Sequence, residues 1–424
     1  MMSGFLFSCL RGIVLKYMYM VSVNKFVLFA FFFFVPVSMF SQRKEISQAK
    51  AWVKAGNELA KAEESMRNLL KDSANRKNDK IWLVLFDAIK KQYDVGNEQL
   101  YLKKQYDTAV MFNATRRMFL VLESFDSIDA EPDKHGRIVL KYRKKHSAFL
   151  NTYRPNMYNG GLFFARKGDF KQAFDFFDTY IDCKNQPIFS EYDYGTRDSL
   201  LSRAAYMAVY CGFKQNDAGK TLKHSELAMA DTARRKFLYQ YLAETYKQQS
   251  DTAKYKSLLL AGFDRYPRFM YFFPRLFDLY YKHDDMRNAL ILCDRALETD
   301  SANAVFLYAK STVLLNIGRY DECINISDGL IARNDTLADA YLNAGLAYFN
   351  QALRIDSNTL MSRKQKSRLR NLYKSAMPYL ERYRALAPDQ KGKWGMPLYT
   401  IYLNLNMGKE FEEIDTLLKT DDNK

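Results

Sequence analysis

Residues 304–350 read AVFLYAKSTVLLNIGRYDECINISDGLIARNDTLADAYLNAGLAYFN. Apolar residues recur there at i, i+3 or i+4 and i+7, the mark of one buried helix face. Gly318-Arg319 breaks the pattern, so two segments of about fourteen residues fold back on each other as an antiparallel hairpin. Ala338 then restarts what Ala304 began, 34 positions later (338 − 304). Stepping backwards by the same interval gives Met270 and Lys236 as earlier first positions. The fourth positions become Tyr239, Phe273, Leu307 and Tyr341, and the eleventh Tyr246, Tyr280, Leu314 and Tyr348. The eighth are Ala243, Phe277, Ser311 and Gly345; the twentieth are Tyr255, Ala289 and Cys323; the twenty-seventh are Gly262, Ala296 and Leu330. Small residues at the eighth and twentieth positions let the two helices of a hairpin approach. Bulky ones at the fourth and eleventh fill the gap to the next hairpin. Turns are expected at Ser250-Asp251, Asp284-Asp285 and Gly318-Arg319.

A period of 34 held through four starts resembles the tetratricopeptide repeat (TPR). The resemblance implies an all-α protein, an α-α superhelix made as a solenoid of antiparallel helix hairpins. It covers residues 154–420 and is weakest between Pro187 and Arg235. An earlier unit fits at 154–187 on Gly160-Gly161, Phe164, Gly168-Asp169-Phe170, Ala173, Phe177 and Tyr180. Trp394, Leu398, Ile401, Gly408 and Phe411 fit a last one. The unit from Ala338 to Gln390 has 53 residues, 53 − 34 = 19 more than the period, inserted between Tyr348 and Tyr373. The composition of this insert predicts two elongated helices projecting from the array. Residues 42–153 are helical in pattern (Ile46, Ala49, Trp52, Val53) without the repeat signature, and are expected to be degenerate repeats. Residues 154–235 are expected to be a TPR-like unit plus an irregular helical hairpin. Residues 236–424 are expected to be the array, with a basic insertion near 351–371.

The N-terminus reads as an address. Phe26 to Phe40 is a 15-residue run without a charge, preceded by Lys25 and followed by Ser41-Gln42-Arg43. That is the form of a secretory signal peptide, 1–41, and too short for a spanning helix of about 20 residues. Met20 starts a better signal, so residues 1–19 are read as a mis-called start. No Cys follows the apolar core, which argues against a lipoprotein anchor. The junction resembles that of exported proteins of Bacteroidetes-type bacteria. The expected location is the periplasm, the alternative being an inner-membrane anchor formed by an uncleaved signal.

Composition narrows the function classes. Gly (18) and Pro (9) are too few for the turns of an all-β chain of this length. Removing residues 1–41 deletes Arg11, Lys16 and Lys25 and no acid, so the charge goes from +16 to +13. Export makes nucleic acid an improbable target; acidic protein surfaces, anionic lipid and acidic glycans remain. Membrane association is admissible but not required.

Material for catalysis is thin. His135, His146, His224 and His283 have no ligand spacing and are expected on the solvated surface. Cys293 and Cys323 are expected to pack as small hydrophobes, with a disulfide as the alternative; Cys183 and Cys211 are the better disulfide pair. Gly160-Gly161 lies inside a helix pattern and is a packing pair, not a phosphate loop. No catalytic residue, metal ligand or cofactor is assigned.

Binding surfaces are the alternative to chemistry. By resemblance, the first helices of the hairpins line a concave groove through positions two, five, nine, twelve and thirteen. In the first unit these include Phe237, Gln240, Glu244 and Lys247; in the second Tyr271, Asp278, Tyr281 and Lys282. In the third they include Tyr308, Thr312 and Asn316, and in the fourth Asp339, Leu342, Phe349 and Asn350. Tyr271-Phe272-Phe273 cannot all point inward, so exposed aromatics are expected in the groove. The donors of a carboxylate clamp are not matched, since Pro274 and Asp278 stand in their places. Arg363, Lys364, Lys366, Arg368 and Arg370 form a basic patch in the insert, suited to an acidic partner. The expected function is a non-enzymatic exported scaffold that binds a protein or peptide. The alternative is a glycan- or nutrient-binding protein of an outer-membrane uptake system.

Overall fold

The structure, a computed structural model, describes residues 42–356 and 361–419, which contain helices and no strand. Residues 1–41, and with them the expected signal peptide, lie outside the described residues. So do 357–360 within the insertion. The chain divides into two compact units, Met1–Arg235 and Lys236–Lys424.

Unit 1 begins with α1 (residues 42–55), α2 (Leu59–Lys71) and α3 (Asp79–Tyr101). It continues through α4 (Thr108–Asp129), α5 (Arg143–Arg166) and α6 (Phe170–Asp182). Each of α2 to α6 packs against the next. Gly160 and Gly161 make the α5–α6 crossing close: a Cβ on either would stand 2.7 Å from the ring of Phe176 or Phe177. After a short α7 (Tyr194–Arg197), α8 (Leu201–Lys214) packs on α6 and on a broken partner, α9 (Ala218–Lys223) and α10 (Ser225–Ala228).

Unit 2 is a run of hairpins. They are α11 (Arg235–Gln248) with α12 (Thr252–Arg265), α13 (Phe272–Lys282) with α14 (Met286–Thr299), and α15 (Ala304–Asn316) with α16 (Tyr320–Arg333). Then come α17 (Ala338–Asp356) with α18 (Arg363–Leu386), and α19 (Lys391–Leu405) with α20 (Gly408–Lys419). First helices also touch each other, α15 against α17 and α17 against α19, which is what stacked hairpins do. The insertion appears as length: α17 has 19 residues and α18 has 24, against 13 and 14 in α15 and α16.

One turn recurs in both units. Gly168, Asn216, Ser250, Asp284 and Gly318 have φ between 54° and 79°. In four of the five the next residue caps the second helix: Asp169, Asp217, Asp251 and Asp285 each accept a backbone N–H three residues on, at 3.0–3.2 Å, whereas Arg319 after Gly318 makes no side-chain cap. A left-handed residue followed by an Asx cap reverses the chain and satisfies an orphan helix donor. The interval 216 to 250 is again 34, so the period extends one unit further back than the apolar pattern shows, to Ser202.

The small-residue positions are close crossings. Ala243, Ala289, Ala296, Cys293 and Cys323 are fully buried. A Cβ on Gly262 would meet the Phe272 ring, and one on Gly345 would meet Leu380 Cγ at 2.7 Å. Phe273, Tyr280 and Leu314 fill the spaces between hairpins.

Candidate partner-binding face

The first helices of unit 2 present the residues at positions two, five, nine, twelve and thirteen, and polar bonds tie successive helices together through them. Asn316 Nδ2 of α15 donates to the Tyr281 hydroxyl of α13 at 3.2 Å. Asn343 of α17 is buried and donates to Ser311 Oγ at 2.8 Å and Thr312 Oγ1 at 3.0 Å. A buried amide with satisfied partners fixes the register of its neighbours. Burial raises the Tyr308 hydroxyl, the Asp339 carboxylate adds to this, and Lys393 of α19 opposes it. Tyr308, Asp339 and Lys393 therefore share one neighbourhood on three successive first helices.

Several residues sit where the spacing places them. Lys247, Asp278, Tyr281, Lys282 and Asn316 are exposed; Gln240, Glu244, Tyr308, Thr312, Asp339 and Asn350 are half-buried. Phe237 is half-buried edge-on to Phe269 at 5.5 Å.

Three groove residues, Tyr271, Leu342 and Phe349, depart from the expected exposure. Tyr271, Phe272 and Phe273 are all buried. The helix starts at Phe272, so Tyr271 lies at its cap rather than on its face. There Arg275 covers the ring at 3.8 Å and the hydroxyl donates to Glu244 at 2.8 Å. Arg275 closes the set by reaching the same carboxylate oxygen at 3.3 Å. Leu342 and Phe349 are also buried, because the lengthened α18 brings Leu369 and Tyr373 over them; Phe349 and Tyr373 rings are 6.1 Å apart.

The sequence pattern misses part of this face. Asn406 has φ 57° and occupies the turn position, which puts the first position of the last unit at Gly392. Lys393, Met396, Thr400, Leu403 and Asn404 then fall on the face positions. Met396 and Leu403 are 60% and 53% exposed, more than any other large apolar residue among the described residues of unit 2. Val305 and Tyr281 extend the same exposed set. The signal was present: an Asn fourteen residues after a Gly, before a Gly-started second helix.

The basic patch opens α18. Ser362 caps the helix in a reciprocal box with Gln365: its Oγ accepts the Gln365 N–H at 3.3 Å and its own N–H reaches Gln365 Oε1 at 2.9 Å. Arg363, Lys364, Lys366, Arg368 and Arg370 are all exposed.

The remaining candidates are structural. All four described cysteines are free and buried, so neither expected disulfide forms; burial pushes the thiols of Cys211 and Cys293 up to about 12 and that of Cys323 to about 11, which disfavours the thiolate. Cys183 donates to the Thr179 carbonyl at 3.3 Å. His135 and His283 are exposed, but two histidines are not on the solvated surface. His146 is buried among Phe86, Phe125 and a stacked Tyr142 ring, and burial lowers its pKa. His224 pairs with Asp178 at 2.7 Å. No group of three or more metal-ligating side chains occurs among the described residues.

No family model matches the chain, and no curated protein sequence does. Among solved structures it is similar to the C-terminal part of a TPR repeat-containing protein from Cytophaga hutchinsonii, at 11% identity and a TM-score of 0.40, covering 61% of this chain and 92% of that one. It is similar to a tetratricopeptide repeat protein from Parabacteroides merdae at 15% identity and 0.34, covering 63% and 98%. It is also similar to YrrB, described as a TPR protein with an unusual peptide-binding site, at 15% and 0.24, covering 59% and 94%. These likenesses concern the fold alone. The TPR-like fold of the chain rests on its own 34-residue spacing, its left-handed turns with Asp caps, and its stacked hairpins.

Proposed function

We propose that the protein is an exported, non-enzymatic scaffold that holds a protein or peptide partner on the first-helix face of unit 2. One observation carries this reading: Tyr281, Val305, Met396 and Leu403 are exposed at the face positions, and polar bonds beside them tie α13 to α15 and α15 to α17. Apolar and aromatic anchors on a rigid support bind at low entropic cost. Stacked hairpins make a long surface and no closed active site. The basic start of α18 gives acidic groups of the partner a second contact. Export follows from the leader at 1–41 and implies a periplasmic location after cleavage before Gln42.

Photo-crosslinkers at Tyr281, Tyr308 and Met396, with Arg287 on α14 as an off-face control, test the face in the native envelope. A discrete crosslinked protein from the three face positions is expected. Equal yields from Arg287 would end this reading. Glycan-array binding without any crosslinked protein would favour the uptake-system alternative. A mature mass starting at Gln42 is expected for the exported form.

A further inference from the structure

Unit 1 holds a cleft of 370 Å³ between α2, the turn at Ser73–Asn75, α3 and α4. Its wall is apolar: Leu70, Trp82, Leu85, Leu120 and Val121. Its rim is cationic: Arg67, Lys71 and Arg76, and no acidic residue lines it. The wall is fixed, since Trp82 Nε1 donates to the Arg76 carbonyl at 2.7 Å and the indole stacks on Phe125 at 5.8 Å. Arg67 is held by Glu63 at 2.9 Å. Lys71 and Arg76 are different: neither pairs with a carboxylate among the described residues, and Arg76 Nε reaches only the Leu70 carbonyl, at 3.4 Å. Leu120 stands at the mouth, 42% exposed. Two cations without a carboxylate partner beside an aromatic and aliphatic wall suit a ligand with one anionic end and one apolar end.

We propose that this cleft binds a small amphipathic carboxylate, a chain of about eight to ten carbons. The carboxylate meets Lys71 and Arg76, and the chain lies along Leu70, Leu120 and the exposed edge of Trp82. Size selects a small molecule over a partner helix: the cleft sits at the low end of small-ligand pockets, and a stable protein contact covers about 800 Å² per partner.

Calorimetric titration of the purified full-length protein with decanoate, decanol and butyrate at fixed ionic strength tests this. Decanoate is expected to bind saturably, one per chain, and about tenfold tighter than either decanol or butyrate. The exposed pair Lys71→Glu/Arg76→Glu is expected to weaken decanoate about tenfold or more while leaving the far-UV spectrum unchanged and lowering the melt only slightly, since Lys71 lies in the last turn of α2. Leu120→Glu, which places a carboxylate at the mouth, is expected to do the same. Decanol binding as tightly as decanoate overturns the proposal. So does decanoate binding that survives the double reversal. Failure of decanoate to bind, with adhesion to anionic vesicles instead, also overturns it and points to a membrane surface.

Discussion

Glu123 shows what a single buried group does to the whole chain. Burial lifts its carboxyl to about 8, with Asp182 adding and Arg116 opposing. Its Oε1 is buried without a hydrogen-bond partner. The folded chain thus keeps a proton that the unfolded chain gives up in the ordinary carboxylate range. The stability linked to that proton is complete below that range and is lost as pH rises through about 8. Glu123→Gln keeps the shape and removes the ionisation. Variant and parent should unfold at the same urea concentration at about pH 4, and the variant should be more stable by up to about 5 kcal/mol at about pH 9. Parallel pH profiles would show that Glu123 ionises normally. At a second residue, a Cβ on Gly262 would run into the Phe272 ring, so Gly262→Ala should cost about 1–3 kcal/mol of stability in the same assay. That close approach was only half legible: the spacing puts Gly262 and Ala296 at the twenty-seventh position, but Leu330 follows there, and close approach is expected only at the eighth and twentieth. The burial of His146 and Tyr271 was not legible. A histidine in an aromatic cage is invisible until the chain folds, and Tyr271 was placed by period alone when the helix actually begins one residue later.

Helices are where the spacing spoke most clearly, and where it fell silent for a physical reason. The turns at Ser250-Asp251, Asp284-Asp285 and Gly318-Arg319 fall where the period puts them. The unit from Ser202 escaped notice because its second helix is broken into α9 and α10 around His224, so the apolar stripe is cut short. Asn216-Asp217 kept the turn signal, and the Asp cap was the feature to follow. Asp251→Ala removes such a cap and should cost about 1 kcal/mol in thermal unfolding. The start of α18 carries the opposite lesson. Arg363, Lys364 and Lys366 lie in its first turn, where the helix dipole disfavours cations. Charges kept against their own helix fit a surface that contacts something else. Arg363→Glu/Lys364→Glu should therefore raise stability by about 0.5–2 kcal/mol while reducing crosslinking at the face. A double variant that loses stability would show that these cations hold α18 together.

Across the chain, coupling runs between neighbours. In unit 2 one buried cluster runs from Ala243 to Val313, a second joins Leu314 and Cys323 to Ala347, and a third runs from Leu342 to Ile414. Each cluster touches adjacent hairpins, the arrangement that lets a repeat array stand on nearest-neighbour contacts. Unit 2 starts at Lys236, the first position of the first clear repeat, and carries every residue of the proposed face. The cleft with Trp82 lies wholly in unit 1. Residues 236–424 made alone should then give a helical far-UV spectrum, a cooperative urea transition, and the same crosslinked partner from Tyr281 and Met396 as the full chain, with no decanoate binding. If the fragment folds but captures nothing, the partner needs unit 1, and the face by itself is not the site. If the fragment fails to fold, the two units share stability that their separate cores do not show. The two outcomes are told apart by the spectrum before any crosslinking is done.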